Sequence, residues 1–213
     1  MLRKQHGDRK NPGYTPPALS LQQPDLGVLR KAQRGDERAF AIIVRAYETP
    51  VFNYVLRLVG DRALAEDLTQ EVFLRVFQGL PKFSLRCKFT TWLFQVTKNR
   101  VLDELRASER RPRHLVALDD IAPLEAMERP VEQGEEIDAL WRAIEGLSVD
   151  LKMAVLLRDV AGLSYTEIAD SLEITLATVK WRIYKGREEI ALTLAREGIT
   201  FGTQAAPVKV EEL

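Results

Sequence analysis

Cysteine occurs once in 213 residues, at Cys87, which excludes an intrachain disulfide and fits a reducing compartment. Histidine occurs twice, at His6 and His114. No nucleophile–base pair, glycine-rich phosphate loop or ligand cluster with metal spacing accompanies them, so neither catalytic residues, nor a metal, nor a cofactor is expected. No apolar run approaches the ~20 residues of a membrane span. The basic N-terminus leads into no apolar segment of the kind a signal peptide carries, so a cytoplasmic protein without membrane insertion is expected. Net charge is missing too: 31 basic residues balance 31 acidic ones, and nothing global advertises a polyanionic partner. Strand signals and internal repeats are also absent.

What is present is helical periodicity and an uneven distribution of charge. Apolar content of 46% and charged content of 29% are ordinary for a globular protein. Residues 1–25 hold four prolines among polar residues and read as a disordered tail. Residues 26–107 read as one helical domain, with fourteen Lys and Arg against nine Asp and Glu. Gly35-Asp36 and Gly60-Asp61 punctuate it, each Asp placed as an N-cap. Pro50 is placed in a first helical turn, dividing Phe40–Tyr47 from a second helix carrying Phe52, Val55, Leu56 and Val59. Leu64, Leu68, Val72, Phe73, Val76 and Phe77 make the strongest 3.6-residue stripe. Residues 108–136 lose the period and hold eight acids against four bases, an extended acidic linker. Helical order resumes over 137–197, and 198–213 form a C-terminal tail. The expected fold is all-α: two small helical domains joined by an acidic linker.

The second domain carries the most informative stretch. Ser164–Leu172, the turn Glu173–Thr175 and Leu176–Arg187 read as two helices about a tight turn, the layout of a helix-turn-helix. In the second helix Val179, Ile183, Gly186 and Ile190 share one face, while Lys180, Trp181, Tyr184 and Lys185 share another. A helix so divided buries its aliphatic stripe and can present cations and aromatics to a DNA major groove. In the first domain Glu66, Asp67, Gln70 and Glu71 form a polar patch. Such a patch is either a solvated face or a docking surface for a basic partner helix.

Three segments, in order, carry a resemblance: AEDLTQEVFLRVF (Ala65–Phe77), FTTWLFQVTKNRVLDELR (Phe89–Arg106) and LSYTEIADSLEITLATVKWRIYKGREEI (Leu163–Ile190). They resemble the bacterial sigma-70 family, in particular its small two-domain extracytoplasmic-function group, over about residues 26–195. The resemblance implies a sigma-2-like domain, a sigma-4-like domain, and a non-enzymatic role: directing RNA polymerase core to a promoter and opening it. It implies three partners, namely core polymerase through its beta and beta-prime subunits, promoter DNA, and an anti-sigma factor; stress or envelope-response genes are the implied targets.

Residue by residue, the resemblance assigns Glu66, Asp67, Gln70 and Glu71 to docking on the largest polymerase subunit. It assigns Lys82, Phe83, Arg86 and Lys88, with Lys98, Asn99 and Arg100, to the −10 element, where Phe83 and Asn99 match positions that hold a flipped base. Phe83 has a second reading, as a core plug under its loop, and Trp92 is read as core. Arg106, Arg110, Arg111 and Arg113 are candidates for phosphates, which position without specifying. The linker is read as a nucleic-acid mimic threading the polymerase, or as a plain spacer. For the −35 element the match gives Lys180, Trp181, Tyr184 and Lys185 to the groove, and Ser164, Tyr165, Thr178, Arg182 and Arg187 to phosphates.

Three positions depart from the family pattern. Glu173 stands where a turn glycine is usual, Ala177 where a glycine precedes the Thr-Val pair, and Trp181 where serine is common. A non-glycine residue at a positive-φ turn costs roughly 1 kcal/mol. An indole facing bases shifts sequence preference, for example toward a thymine methyl. The rival reading is a helix-turn-helix regulator that acts without polymerase core; it accounts for the second domain and leaves the first unexplained.

Overall fold

The computed structural model describes residues 21–110 and 134–199; most of the expected tails, most of the linker, and Arg111 and Arg113 lie outside them. The described residues form helices joined by turns, with no strand.

In the first domain each early helix begins on an aspartate whose carboxylate takes up backbone N–H groups left unpaired in a first turn. Asp25 caps α1 (Leu26–Gln33), accepting from Gly27 and Val28 at 2.8 and 3.1 Å. Asp36 caps α2 (Glu37–Val59) through Ala39 at 3.0 Å, and Asp61 caps α3 (Arg62–Gly79) through Leu64 at 2.9 Å. Gly60 ends α2 in the left-handed region, at φ 74°. A 3-10 turn, Leu80–Lys82, and a short loop lead to α4 (Phe89–Arg110).

Two expectations are corrected here. Pro50 does not start a new helix; α2 runs through it for 23 residues. An interior proline removes one hydrogen bond and costs about 3 kcal/mol. The buried series Ile43, Tyr47, Val51, Tyr54 and Val55 continues in register across it. Burial of that stripe, at about 1.5–3 kcal/mol per large apolar side chain, outweighs the loss. The tail also ends before residue 25. The Tyr47 hydroxyl donates to the Gln22 carbonyl, and the Gln23 side chain accepts from the Phe89 N–H (2.8 Å) while donating to Thr90 Oγ1 (2.5 Å). Residues 21–23 thus strap the start of α4.

The first core centres on Leu68, Val72, Val76, Leu80, Leu93, Phe94 and Val101, all closed to solvent. Tyr54 meets Phe94 edge-on at 5.4 Å, and Tyr47 packs against Phe89 at 5.3 Å.

The second domain comprises α5 (Gly134–Glu145), α6 (Val149–Val155) with a π-helical turn Leu156–Val160, α7 (Tyr165–Leu172) and α8 (Leu176–Arg196). Ser164 and Glu167 form a reciprocal capping box at the start of α7. Glu173 closes α7 at φ 58°, the left-handed turn conformation for which glycine is the usual choice. Helix α8 packs on α5, α6 and α7, burying Val179, Ile183, Gly186, Ile190 and Leu194.

The two domains are not merely tethered. Helix α7 lies against α4, and α6 touches α2. The Ser171 hydroxyl, 2.7 Å from the Glu167 carbonyl of its own helix, is shared with the Thr91 carbonyl across the boundary at 3.0 Å, and both Ser171 and Thr91 are buried. At the far side the Arg57 guanidinium sits 3.7 Å from the Trp141 ring centroid and 3.3 Å from Glu145.

Candidate nucleic-acid and partner interface

Helix α8 positions the candidate −35 residues as the periodicity predicts. Its aliphatic stripe is buried, and Trp181 and Tyr184 on the opposite face remain 60% and 57% exposed, beside an exposed Lys180. Large aromatics left in water without a local partner are the informative kind of exposed apolar residue. The surrounding cations are held by carboxylates of the same domain. Lys185 donates to Glu188 (2.7 Å), Arg182 to Asp150 (2.8 Å) and Arg187 to Asp159. The Glu188 and Asp159 carboxylates hold Lys185 and Arg187 more firmly protonated than usual. Thr178 shares a hydroxyl hydrogen bond with Thr175, the N-cap of α8, at 2.8 Å. The Ser164 hydroxyl is engaged in its cap, and the Tyr165 ring lies under Arg158, 4.9 Å away. Both side chains are thus engaged at the start of α7 in this conformation.

The carboxylate patch on α3 divides. Glu66, Asp67 and Gln70 are exposed. Glu71 turns toward α4 and receives Arg100 at 2.5 Å, while Arg100 also donates to Glu104 at 2.9 Å. The Arg100 hydrogen bond holds the Glu71 carboxyl below its ordinary range. Glu71 and Arg100, expected on separate surfaces, therefore form one ion pair. Leu74 (60% exposed) and Phe77 (41% exposed) continue the α3 face beyond Gln70.

The candidate −10 residues are the least like their expectation. Phe83 is a core plug: only 7% exposed, it stacks on Trp92 at 4.8 Å and 29°. Its carbonyl accepts from the Gln33 amide at 2.8 Å and its N–H donates to Leu80, which pins the loop from below. Lys98 is 6% exposed and donates to Glu173 of the helix-turn-helix at 2.6 Å. Lys88 pairs with Glu167 at 3.0 Å. Asn99, Lys82 and Arg86 are exposed. Glu173 also accepts from the Gln95 amide at 3.0 Å. Gln95 escaped the sequence reading, and the one signal that could have found the contact was a carboxylate at the turn position where glycine is usual. Among the described residues no cluster of His, Cys, Asp and Glu could hold a metal, and no helix is long and apolar enough to cross a membrane.

Family comparison agrees with this division of the chain. Residues 43–111 match the model of Sigma-70 region 2, and residues 137–190 that of Sigma-70 region 4. The RNA polymerase sigma-H factor of Pseudomonas aeruginosa is 32% identical over 182 residues, covering 81% of this chain and 94% of that protein. The ECF RNA polymerase sigma-E factor of Escherichia coli is 32% identical over 188 residues, covering 81% and 95%. The chain belongs to the sigma-70 family, in its extracytoplasmic-function group, and is a sigma factor. Two solved structures share the fold. CnrH, in complex with the cytosolic domain of CnrY, matches at TM-score 0.61 and 20% identity over 80% of this chain and 96% of that one. The sigma factor RpoE of Bartonella quintana, in complex with the anti-sigma factor NepR, matches at 0.60 and 22% over 73% and 96%.

Proposed function

We propose that this sigma factor docks on RNA polymerase core through α3, reads a −35 element with α8, and captures an unstacked −10 base with the α4 face, so favouring the open promoter. The observation that carries this reading is the divided helix α8: a buried aliphatic stripe opposite Trp181 and Tyr184, both in water beside Lys180. Such a face supplies apolar contact to thymine methyl groups and cations to phosphates. Docking falls to the exposed carboxylates Glu66 and Asp67 with Gln70. Leu74 and Phe77 add apolar area on the same face. The expected partners on core are its beta and beta-prime subunits.

Base capture falls to Asn99, exposed on α4 between Lys98 and Arg100. An amide there can pair with the Watson–Crick edge of a flipped base, offsetting several kcal/mol of unstacking. Phe83 supports that surface from the core and does not stack on the base. Because two proteins that share this fold are seen with CnrY and with an anti-sigma factor, an anti-sigma partner is proposed here as well. So are a cytoplasmic location and control of stress or envelope-response genes.

The test is reconstituted transcription with mapped start sites. Core plus the wild-type chain should start at promoters that core alone ignores. Asn99→Ala should lower open-complex formation roughly tenfold while leaving core affinity unchanged, the loss expected for about 1–2 kcal/mol of discrimination. Duplex binding by the free chain as tight as in the presence of core would instead support a stand-alone regulator.

A further inference from the structure

Two of the cations that would meet −10 DNA are held by carboxylates of the opposite domain. Lys98 of α4 gives its ammonium to Glu173 at 2.6 Å, and Lys88, just before α4, gives its own to Glu167 at 3.0 Å. Gln95, one turn before Lys98, adds a second polar contact to Glu173 at 3.0 Å. Beside them the buried Ser171 hydroxyl, shared between the Glu167 and Thr91 carbonyls, joins α7 to α4. The two carboxylates occupy the lysines as a pair of phosphates would, with the same charge-assisted hydrogen bonds.

Glu173 is also the one non-glycine residue at positive φ among the described residues. Strain of this kind persists where the surroundings over-determine it. A glycine would relieve the backbone but would remove the carboxylate that reaches Lys98 and Gln95. The strained choice therefore makes sense as a contact residue, not as a turn former.

We propose that the α7–α8 turn is a self-inhibitory latch: Glu173, aided by Glu167, holds the helix-turn-helix domain against Lys98 and Lys88, so that the free chain occupies two of its own −10 cations until the domains separate. The occupant of the α4 face is a segment of this same chain, identified by charge complementarity and by the buried bond beside it. The idea rests on the proposed −10 role of α4.

The full-length chain tests it without polymerase. Glu173→Gly and Gln95→Glu each break the latch, the second by setting a carboxylate against Glu173. Solution scattering should give a larger radius of gyration for both than for wild type. Anisotropy of a fluorescein-labelled, mixed-sequence single-stranded DNA 15-mer should show Glu173→Gly binding about tenfold tighter. Apparent affinity scales with the fraction of open chain, and a charge-assisted hydrogen bond shifts that fraction by about this factor. Glu173→Gly should leave the urea midpoint little changed, since the turn strain that glycine relieves offsets the lost contact, so tighter binding would not come from unfolding. A wild-type radius in either variant, or wild-type DNA affinity in Glu173→Gly, overturns the latch. Initiation by the wild-type chain with core is read separately: its absence would refute the promoter role, whereas its presence with wild-type radii in both variants would refute only the latch.

Discussion

Gly186 sits on the buried face of α8, and a Cβ built there would lie 2.6 Å from Val155 Cγ2, with Leu147 Cδ1 and Leu151 Cβ at 3.6 Å. Ordinary contact begins near 3.4 Å, so Gly186→Ala requires Val155 or α8 to move by about 0.8 Å. Overpacking of this size costs about 1–3 kcal/mol. Alanine returns about 1 kcal/mol of helix propensity relative to glycine. The balance is a loss of about 1 kcal/mol, a fall in melting temperature of about 2–4 °C for a chain of this size, measured by far-ultraviolet circular dichroism. Val155→Ala removes the obstructing methyl groups and alone costs about 1–3 kcal/mol through its cavity. In the Gly186→Ala background that cost should shrink by about 1 kcal/mol or more, because the new methyl fills the space. A double-mutant cycle isolates this coupling. If Gly186→Ala raises the melting temperature and the two substitutions are additive within ~0.3 kcal/mol, close packing of α8 on α6 is not what requires glycine here.

Two further outcomes follow from the ion pairs. Lys180 is exposed on the α8 face, whereas Lys185 already donates to Glu188. With core-bound chain on promoter DNA between 50 and 200 mM salt, Lys180→Ala should reduce the log–log salt slope by about 0.9. Lys185→Ala should reduce it by less than half as much, since Glu188 regains a counterion when its lysine turns to phosphate; equal reductions would show that the pair has no influence. The Glu167 carboxyl is partly buried, which alone would raise its pKa, but hydrogen bonds from Ser164 and the Lys88 ammonium outweigh this and hold it below the ordinary 4.5. A depressed carboxylate stabilises the fold fully above its unfolded value and loses that contribution as pH falls through the lower folded value. Urea midpoints measured from pH 7 to pH 3 should therefore drop below about pH 4.5 in wild type and drop less in Glu167→Gln. Identical acid limbs would exclude Glu167 as a contributor.

The elements legible in the sequence are those whose signal is local. Asp36, Gly60 and Asp61 announce helix boundaries because capping and left-handed closure act within one turn. The α8 stripe is legible because burial repeats every 3.6 residues, and Trp181 and Tyr184 fall off the stripe into solvent as expected. Pro50 reads as a helix start because its effect is local, whereas the packing that both halves of α2 share is not. Phe83 had two readings, and only the Trp92 ring beneath it and the Gln33 amide, fifty residues away, decide for the core. The contact between domains left no periodic trace at all. It consists of single polar residues, Gln95, Lys98, Ser171 and Glu173, whose partners lie 75–80 positions away.

The same pairs bear on the chain's zero net charge. Lys88, Lys98, Arg100, Arg182, Lys185 and Arg187 each hold a carboxylate in this conformation. In the proposed promoter complex those that meet DNA exchange that carboxylate for a nucleic-acid acceptor, one charge-assisted bond for another of similar strength. The free energy of DNA binding by such a surface is a difference between like terms, and so it is small until something else takes up the released carboxylates or separates the domains. Core polymerase, docked on the α3 face, can supply that bias without touching DNA. Under the proposed function, a factor built this way has low affinity for nucleic acid when alone and high affinity when seated, with no change in its own charge.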